Sequence, residues 1–258
     1  MYNIYDKINL GDKMIFNNKT ALVTGGTSGI GKEIVKQLLI EGTFAYINYG
    51  HDEKLKEETE QELTEYKAKI KFIKADLSKE EEIVNMFGSI SKLDYLVNNA
   101  GTNIDELIEN IDINNFKKVI DTNLIGKVIC TKYAIPLLKN STSPSIVNIS
   151  SYLGVRPCEE SSAYCSAAAG IINFTEVSAI ELSKYKIRVN TVCPGFTPTP
   201  LSLDSWSREE IEQKEKTNPL GRLAEPVDTA NAVLFLLSDK ASYVNGVNIP
   251  VNGGSKLK

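Results

Sequence analysis

Short apolar runs recur along the chain, separated by stretches whose apolar residues fall at helical spacing. Thr20–Thr24 (TALVT) precedes a helical pattern from about Ile30 to Glu41, and Phe44–Tyr49 (FAYINY) precedes a charged amphipathic stretch over Glu53–Lys67. Ile70–Ala75 leads to Lys79–Phe87, and Leu93–Val97 leads through a Gly/Asn turn to Asn114–Lys139. Ile146–Ile149 precedes Ser162–Lys184, Ile187–Val192 opens a Pro/Gly loop, and Val227–Leu237 with Val247–Val251 closes the chain. Strands this apolar, alternating with helices, predict a parallel sheet covered on both faces. Right-handed crossovers then make it an α/β doubly wound sheet of seven strands. No repeat, low-complexity tract or linker divides the chain, so residues 14–258 read as one Rossmann-type domain behind an N-terminal tail, 1–13. Met14 offers an alternative start.

Composition narrows the partners. A formal net charge of −4 argues against a surface built for nucleic acid or an anionic membrane. The first residues, MYNIYDKINLGDKM, hold no apolar secretory core, and no run approaches the about 18 apolar residues of a membrane span. The four cysteines (Cys130, Cys158, Cys165, Cys193) show no CxxC spacing and His51 is the only histidine, so no metal site and no disulfide framework is expected. Reduced, mostly buried thiols fit a cytoplasmic protein.

The chemistry starts in Thr24-Gly25-Gly26-Thr27-Ser28-Gly29-Ile30-Gly31, between the first strand and the first helix. Glycines permit the tight turn and let backbone N–H groups approach a pyrophosphate at the helix N-terminus. The Gly-x-x-x-Gly-x-Gly spacing resembles that of the short-chain dehydrogenase/reductase family, and the resemblance continues nearly to Gly254. Asp76-Leu77 resembles the pair that holds the adenine, Asn98-Asn99-Ala100-Gly101 the NNAG turn, and Pro194-Gly195 the PG motif beside the nicotinamide. Asn123, Ser151 and Tyr164 stand where the family has its catalytic asparagine, serine and tyrosine. Pro219-Leu220-Gly221-Arg222, Ser238-Asp239 and Val251-Asn252-Gly253-Gly254 are similar too, although Asn252 stands where aspartate is commoner.

The resemblance implies an NAD(P)(H)-dependent oxidoreductase that interconverts a ketone and a secondary alcohol. Tyr164 would donate the proton, Ser151 would orient the carbonyl, and Asn123 would support a water relay. Gly25, Thr27, Ser28, Gly29, Ile30, Gly31, Tyr49, Asp76, Leu77, Asn99, Ala100, Gly101, Pro194, Gly195 and Thr197 would hold the cofactor.

One position departs from the pattern. The family reads Tyr-x-x-x-Lys, and this chain reads Tyr164-Cys165-Ser166-Ala167-Ala168. A lysine four residues on would share the tyrosine's helix face and lower its pKa from about 10. Ala168 can neither do that nor bond the nicotinamide ribose, as the family lysine does. Three readings compete: a lysine-to-alanine variant of an ordinary reductase, whose activity is impaired; a non-catalytic pseudoenzyme that binds dinucleotide as scaffold or sensor; or an active enzyme that does not need this lysine. The first is preferred, because Asn123, Ser151 and Tyr164 are all retained.

The second strand ends at Tyr49-Gly50-His51, with no acid before Asp52 to bind a ribose 2′-OH. That leaves room for a 2′-phosphate, with His51 and Lys54 as partners, and favours NADP, with NAD the alternative. The carbonyl substrate would lie among Thr102–Leu107, Tyr152–Cys158 and a mobile segment, Phe196–Trp206, with an apolar surface of Phe196, Leu201, Leu203 and Trp206. Lys139, Lys184 and Lys186 are weak candidates for contact with an acyl-carrier protein. Family resemblance also implies a homotetramer built on Asn114–Lys139 and Ser162–Lys184, where Ala163, Ala167, Ala169 and Gly170 would let helices approach closely.

Overall fold

A computed structural model describes residues 14–203 and 207–255. The tail assigned to residues 1–13 and the expected surface residue Trp206 lie outside the described residues. Seven parallel strands form one sheet in the order β3-β2-β1-β4-β5-β6-β7: β1 Thr20–Val23, β2 Phe44–Tyr49, β3 Ile70–Lys74, β4 Tyr95–Asn98, β5 Ser145–Ile149, β6 Arg188–Pro194 and β7 Asn248–Val251. The doubly wound sheet expected from the sequence is present.

The pleat sorts each central strand between two cores. In β1, Ala21 and Val23 face one layer while Leu22 faces the other. The first layer is packed by α1 (Gly29–Ile40) and α9 (Pro226–Leu237) through Ile34, Val35, Leu38, Val233, Leu236 and Leu237. The second is packed by α3 (Glu80–Gly88), α5 (Gly126–Leu138) and α6 (Ser162–Leu182) through Ile83, Met86, Cys130, Ala134, Leu138, Ala179 and Leu182. β1 pairs with β2 on one side and with β4 on the other, so the chain reverses its winding there. A crevice opens at such a switch point, outside the carboxyl ends of the strands.

Three helical readings need correction. The charged stretch over Glu53–Lys67 is α2 (Glu53–Glu62) followed by a 3₁₀ turn, Thr64–Lys69. The single helix expected over Asn114–Lys139 is α4 (Ile113–Ile120), a π-helical turn (Asp121–Ile125) and α5. In that turn Gly126 N–H donates to Asp121 O, one residue further back than an α-helix allows. The segment after β6 is not one loop: it holds a short helix, α7 (Pro200–Leu203), and α8 (Arg208–Thr217). Ser207 and Glu210 form a capping box at the start of α8, a Ser-x-x-Glu signal legible in the sequence.

Candidate active site

A cavity of about 710 Å³ lies in the crevice. Every residue expected to hold the cofactor lines it except Gly31, and so do Asn123, Ser151, Tyr164 and Ala168. Gly31 instead packs the helix onto the turn, for a Cβ there would sit 2.2 Å from Gly25 O. Gly25 has φ +62°, and a Cβ on it would meet Ala100 Cα at 2.9 Å. Both sites therefore exclude larger side chains, and backbone lines the floor.

Thr24 ties the loops after β1 and β4 together. Its hydroxyl accepts from Asn99 N–H at 2.9 Å and Ala100 N–H at 3.0 Å, and Asn99 Nδ2 donates to Thr24 O and Gly25 O at 3.0 and 3.1 Å. Asn48, buried in β2 and overlooked in the sequence, accepts from Gly25 N–H at 3.3 Å and donates to Ala75 O at 3.1 Å. The α1 N-terminus beyond this turn has no side-chain cap from Ser28. Its first-turn N–H groups are thus left to a ligand anion, which suits a pyrophosphate.

At the adenosine end, burial opposes ionisation of Asp76. Hydrogen bonds from Ser78, with His51 and Lys79 nearby, nonetheless hold its carboxyl below the usual range. His51 Nε2 stands 3.4 Å from Asp76 Oδ2. Of the two basic partners expected for a 2′-phosphate, His51 lines the cavity but Lys54 does not. Lys54 points into solvent, 3.8 Å from Glu58 on its own helix face. Tyr49 donates its hydroxyl to Glu53 at 3.1 Å, so an acid lies near this end after all, one residue beyond Asp52.

At the other end, Tyr164 on α6 meets Ser151, which follows β5. The Ser151 hydroxyl beside it favours the phenolate, but burial dominates and raises the Tyr164 pKa above its ordinary value. Ser151 Oγ also accepts from Leu153 N–H at 3.1 Å, fixing its side chain. Asn123 sits in the π turn with both ends of its amide used: Nδ2 donates to Thr102 O and Oδ1 accepts from Thr102 N–H, each at 2.8 Å. Its amide pins the NNAG turn to the helix, so both ends of the side chain are taken up by Thr102. Ala168 is buried, and its carbonyl accepts from Ser150 Oγ at 2.8 Å.

The part of the cavity expected to take the substrate is lined by Thr102, Asn103, Asp105, Tyr152, Leu153 and Cys158, with Phe196 and Leu201 from the segment after β6. Leu203 of the expected apolar surface is exposed and does not line the cavity. Two lysines that the sequence reading passed over do line it, Lys127 on α5 and Lys214 on α8. The weak acyl-carrier candidates lie elsewhere. Lys139 follows α5 and Lys184 and Lys186 follow α6, at the amino-terminal edge of the sheet, where Lys139 and Lys184 stack on Tyr185. Of the small residues expected at a helix–helix interface, Ala163 and Ala167 are buried within the chain and Gly170 packs on Leu124, leaving only Ala169 exposed. All four cysteines are free, and Cys158 is exposed.

Among the described residues no helix is long and apolar enough to cross a membrane, and no cluster of His, Cys, Asp or Glu could hold a metal ion.

Comparison with known proteins agrees with this architecture. Residues 25–256 match a family model described as enoyl-(acyl carrier protein) reductase. The chain is 39% identical over 246 residues to 3-oxoacyl-[acyl-carrier-protein] reductase FabG of Staphylococcus aureus, covering 92% of this chain and 97% of that one. It is 38% identical over 238 residues to FabG of Rickettsia felis, covering 92% and 96%. A solved short chain dehydrogenase/reductase family protein superposes with a TM-score of 0.86 at 32% identity, covering 95% of this chain and all of the other. The glycine turn, the Ser151–Tyr164 pair and these matches together make the chain a member of the short-chain dehydrogenase/reductase family, an oxidoreductase with a nicotinamide dinucleotide site.

Proposed function

We propose that the chain reduces the 3-keto group of an acyl thioester to a secondary alcohol with NADPH. The carrying observation is that Ser151 and Tyr164 line the same cavity as the glycine turn. The names of the FabG relatives supply the substrate class.

When bound, the dinucleotide supplies hydride. The first-turn N–H groups of α1 would hold its pyrophosphate, Asp76 and Leu77 its adenosine, and the Asn99–Gly101 and Pro194–Thr197 segments its nicotinamide half. A ketone oxygen between Ser151 and Tyr164 would accept from both hydroxyls, and the phenol would release its proton to the developing alkoxide. A phenol whose pKa is raised stays protonated at neutral pH, which suits reduction better than oxidation. NADPH is preferred to NADH because Tyr49-Gly50-His51 places no carboxylate directly after β2. Assembly as a homotetramer rests on the outer face of α6, where Val177 and Ile180 are 46% and 75% exposed. A cytoplasmic location accords with the free thiols.

Tyr164→Phe should lower kcat for acetoacetyl-CoA reduction by about 10²–10⁴ while NADPH still binds. Crotonyl-CoA tests the enoyl chemistry named by the family model, and reduction of it in preference to acetoacetyl-CoA would overturn the keto reading. NADPH binding without turnover of either would instead favour a scaffold or sensor. Ala168 leaves Tyr164 without a cation one turn along its own helix, so the lysine-to-alanine reading expects slow chemistry unless a cation arrives from elsewhere.

A further inference from the structure

Lys127 is the one buried amino group among the described residues, 5% exposed on α5. Its backbone carbonyl is occupied by Thr131 Oγ1 at 2.9 Å, so the residue is fixed in its helix. Its ammonium carries three donors. Ile149 O, at the carboxyl end of β5, accepts one of them. Among the described residues the ammonium has no other hydrogen-bond acceptor and no carboxylate within 4.0 Å. Ile149 is followed by Ser150, which holds the Ala168 carbonyl, and by Ser151, which lines the cavity with Tyr164. Lys127 and Ala168 thus sit on either side of one strand end and line one cavity.

A buried charge is retained at a cost unless something binds it, and two unused donors beside a cavity point to an occupant rich in hydroxyl or anionic oxygen. The stripe formed by Asn123 of the π turn and Lys127, Cys130, Thr131, Ala134 and Leu138 of α5 is buried throughout, and Lys127 opens onto the cavity. Burial lowers the Lys127 pKa to about 8, which still leaves it mainly charged at neutral pH.

We propose that Lys127, entering from α5, is the cofactor-positioning cation of this site, standing in for the lysine that position 168 lacks. The proposal rests on the reductase reading above. Lys127 transfers no atom. It donates to the ribose hydroxyls of the bound dinucleotide, and its charge favours release of the Tyr164 proton.

The test compares the full chain with Lys127→Met, Lys127→Gln and Lys127→Met/Ala168→Lys. NADPH affinity is read by fluorescence titration and turnover with acetoacetyl-CoA. Lys127→Met should bind NADPH about tenfold more weakly, as expected for loss of a charge-assisted hydrogen bond. Its kcat should fall about 100-fold. The double variant should recover most of both, because Ala168→Lys returns an ammonium to the cavity from α6. Lys127→Gln, which keeps reach and polarity without charge, should behave like the methionine variant and replaces it if that chain fails to fold. A lysine that merely anchors Ile149 O would leave NADPH affinity unchanged, and unchanged affinity in both single variants overturns the proposal whatever happens to turnover. If no form turns over either thioester while Lys127→Met still weakens NADPH binding, the reductase reading fails and the cation assignment stands.

Discussion

Two buried charges stand at opposite edges of the sheet. Asp94 immediately precedes β4 at the amino-terminal edge and is 2% exposed. It accepts from Thr20 N–H at 2.9 Å and from Ser141 Oγ, with Lys92 and Lys19 at 3.5 and 3.8 Å. Lys127 lies behind the carboxyl-terminal edge, 5% exposed, with a single carbonyl. A charge with every lone pair occupied stabilises its own neighbourhood; a charge left short of partners is available to a ligand. The contrast separates the end of the molecule that holds the fold from the end that does chemistry.

The comparison is tested most severely at Asp94. Asp94→Ala strands Thr20 N–H and leaves two lysines without their carboxylate, and should cost about 3 kcal/mol of unfolding free energy. Denaturant titration measures this, and turnover per folded molecule should stay as it was. A loss of activity without a loss of stability would erase the division between the two edges.

Next comes the pH dependence of stability, where Lys127→Met should act in the opposite sense. The folded pKa of about 8 lies below the roughly 10.4 of an unfolded lysine. Between these values the unfolded chain binds a proton that the native chain does not, so stability rises with pH. The gain amounts to at most about 3 kcal/mol. From about pH 9 upward Cys130, pushed up to about 12 by burial, works the other way, so the difference between the two proteins is the quantity to measure. Lys127→Met should be more stable than the parent at pH 7, and the gap should shrink as pH rises through 8. A constant gap would mean that the ammonium is already satisfied, like Asp94.

The smallest effect concerns cofactor choice. Tyr49→Asp places a second carboxylate beside Glu53 and should shift the NADPH:NADH affinity ratio toward NADH by about tenfold, near 1.4 kcal/mol. Calorimetric titration at two salt concentrations checks it, since screening should narrow the gap. Equal affinities in the parent would show that this end does not read the 2′-phosphate.

What the sequence disclosed follows from the range of each signal. The strands and α1 rest on local periodicity, and Phe44–Tyr49 matches its expected bounds to the residue. The glycine turn needs only a few adjacent residues, so its geometry was legible as a motif. Lys127 was not, because a lysine in a helix ordinarily reads as a wet position. Asn123, Lys127, Cys130, Thr131, Ala134 and Leu138 share one helical face, but only the structure shows that this face is buried. Tertiary context likewise decided the π turn at Asn123, whose amide closes on Thr102, twenty-one residues away in the chain. Lys54 points away from the cavity for a related reason, since spacing gives a face of the helix but not which side of the sheet that face meets.

The strand order carries a consequence for how the molecule is made. Thr24, which closes the glycine turn, draws on Val97, Asn99 and Ala100, and β1 pairs with β4 in register Ala21↔Tyr95. A chain emerging from the ribosome therefore carries the whole glycine motif long before that motif can take its shape. Such a distant pairing incurs loop-closure entropy before it gains contacts, which slows folding. The Ser151–Tyr164 pair and the Pro194–Thr197 segment arrive later still. Dinucleotide affinity is then a timer of synthesis, negligible in nascent chains that end before β4 and complete only after β6 has joined the sheet.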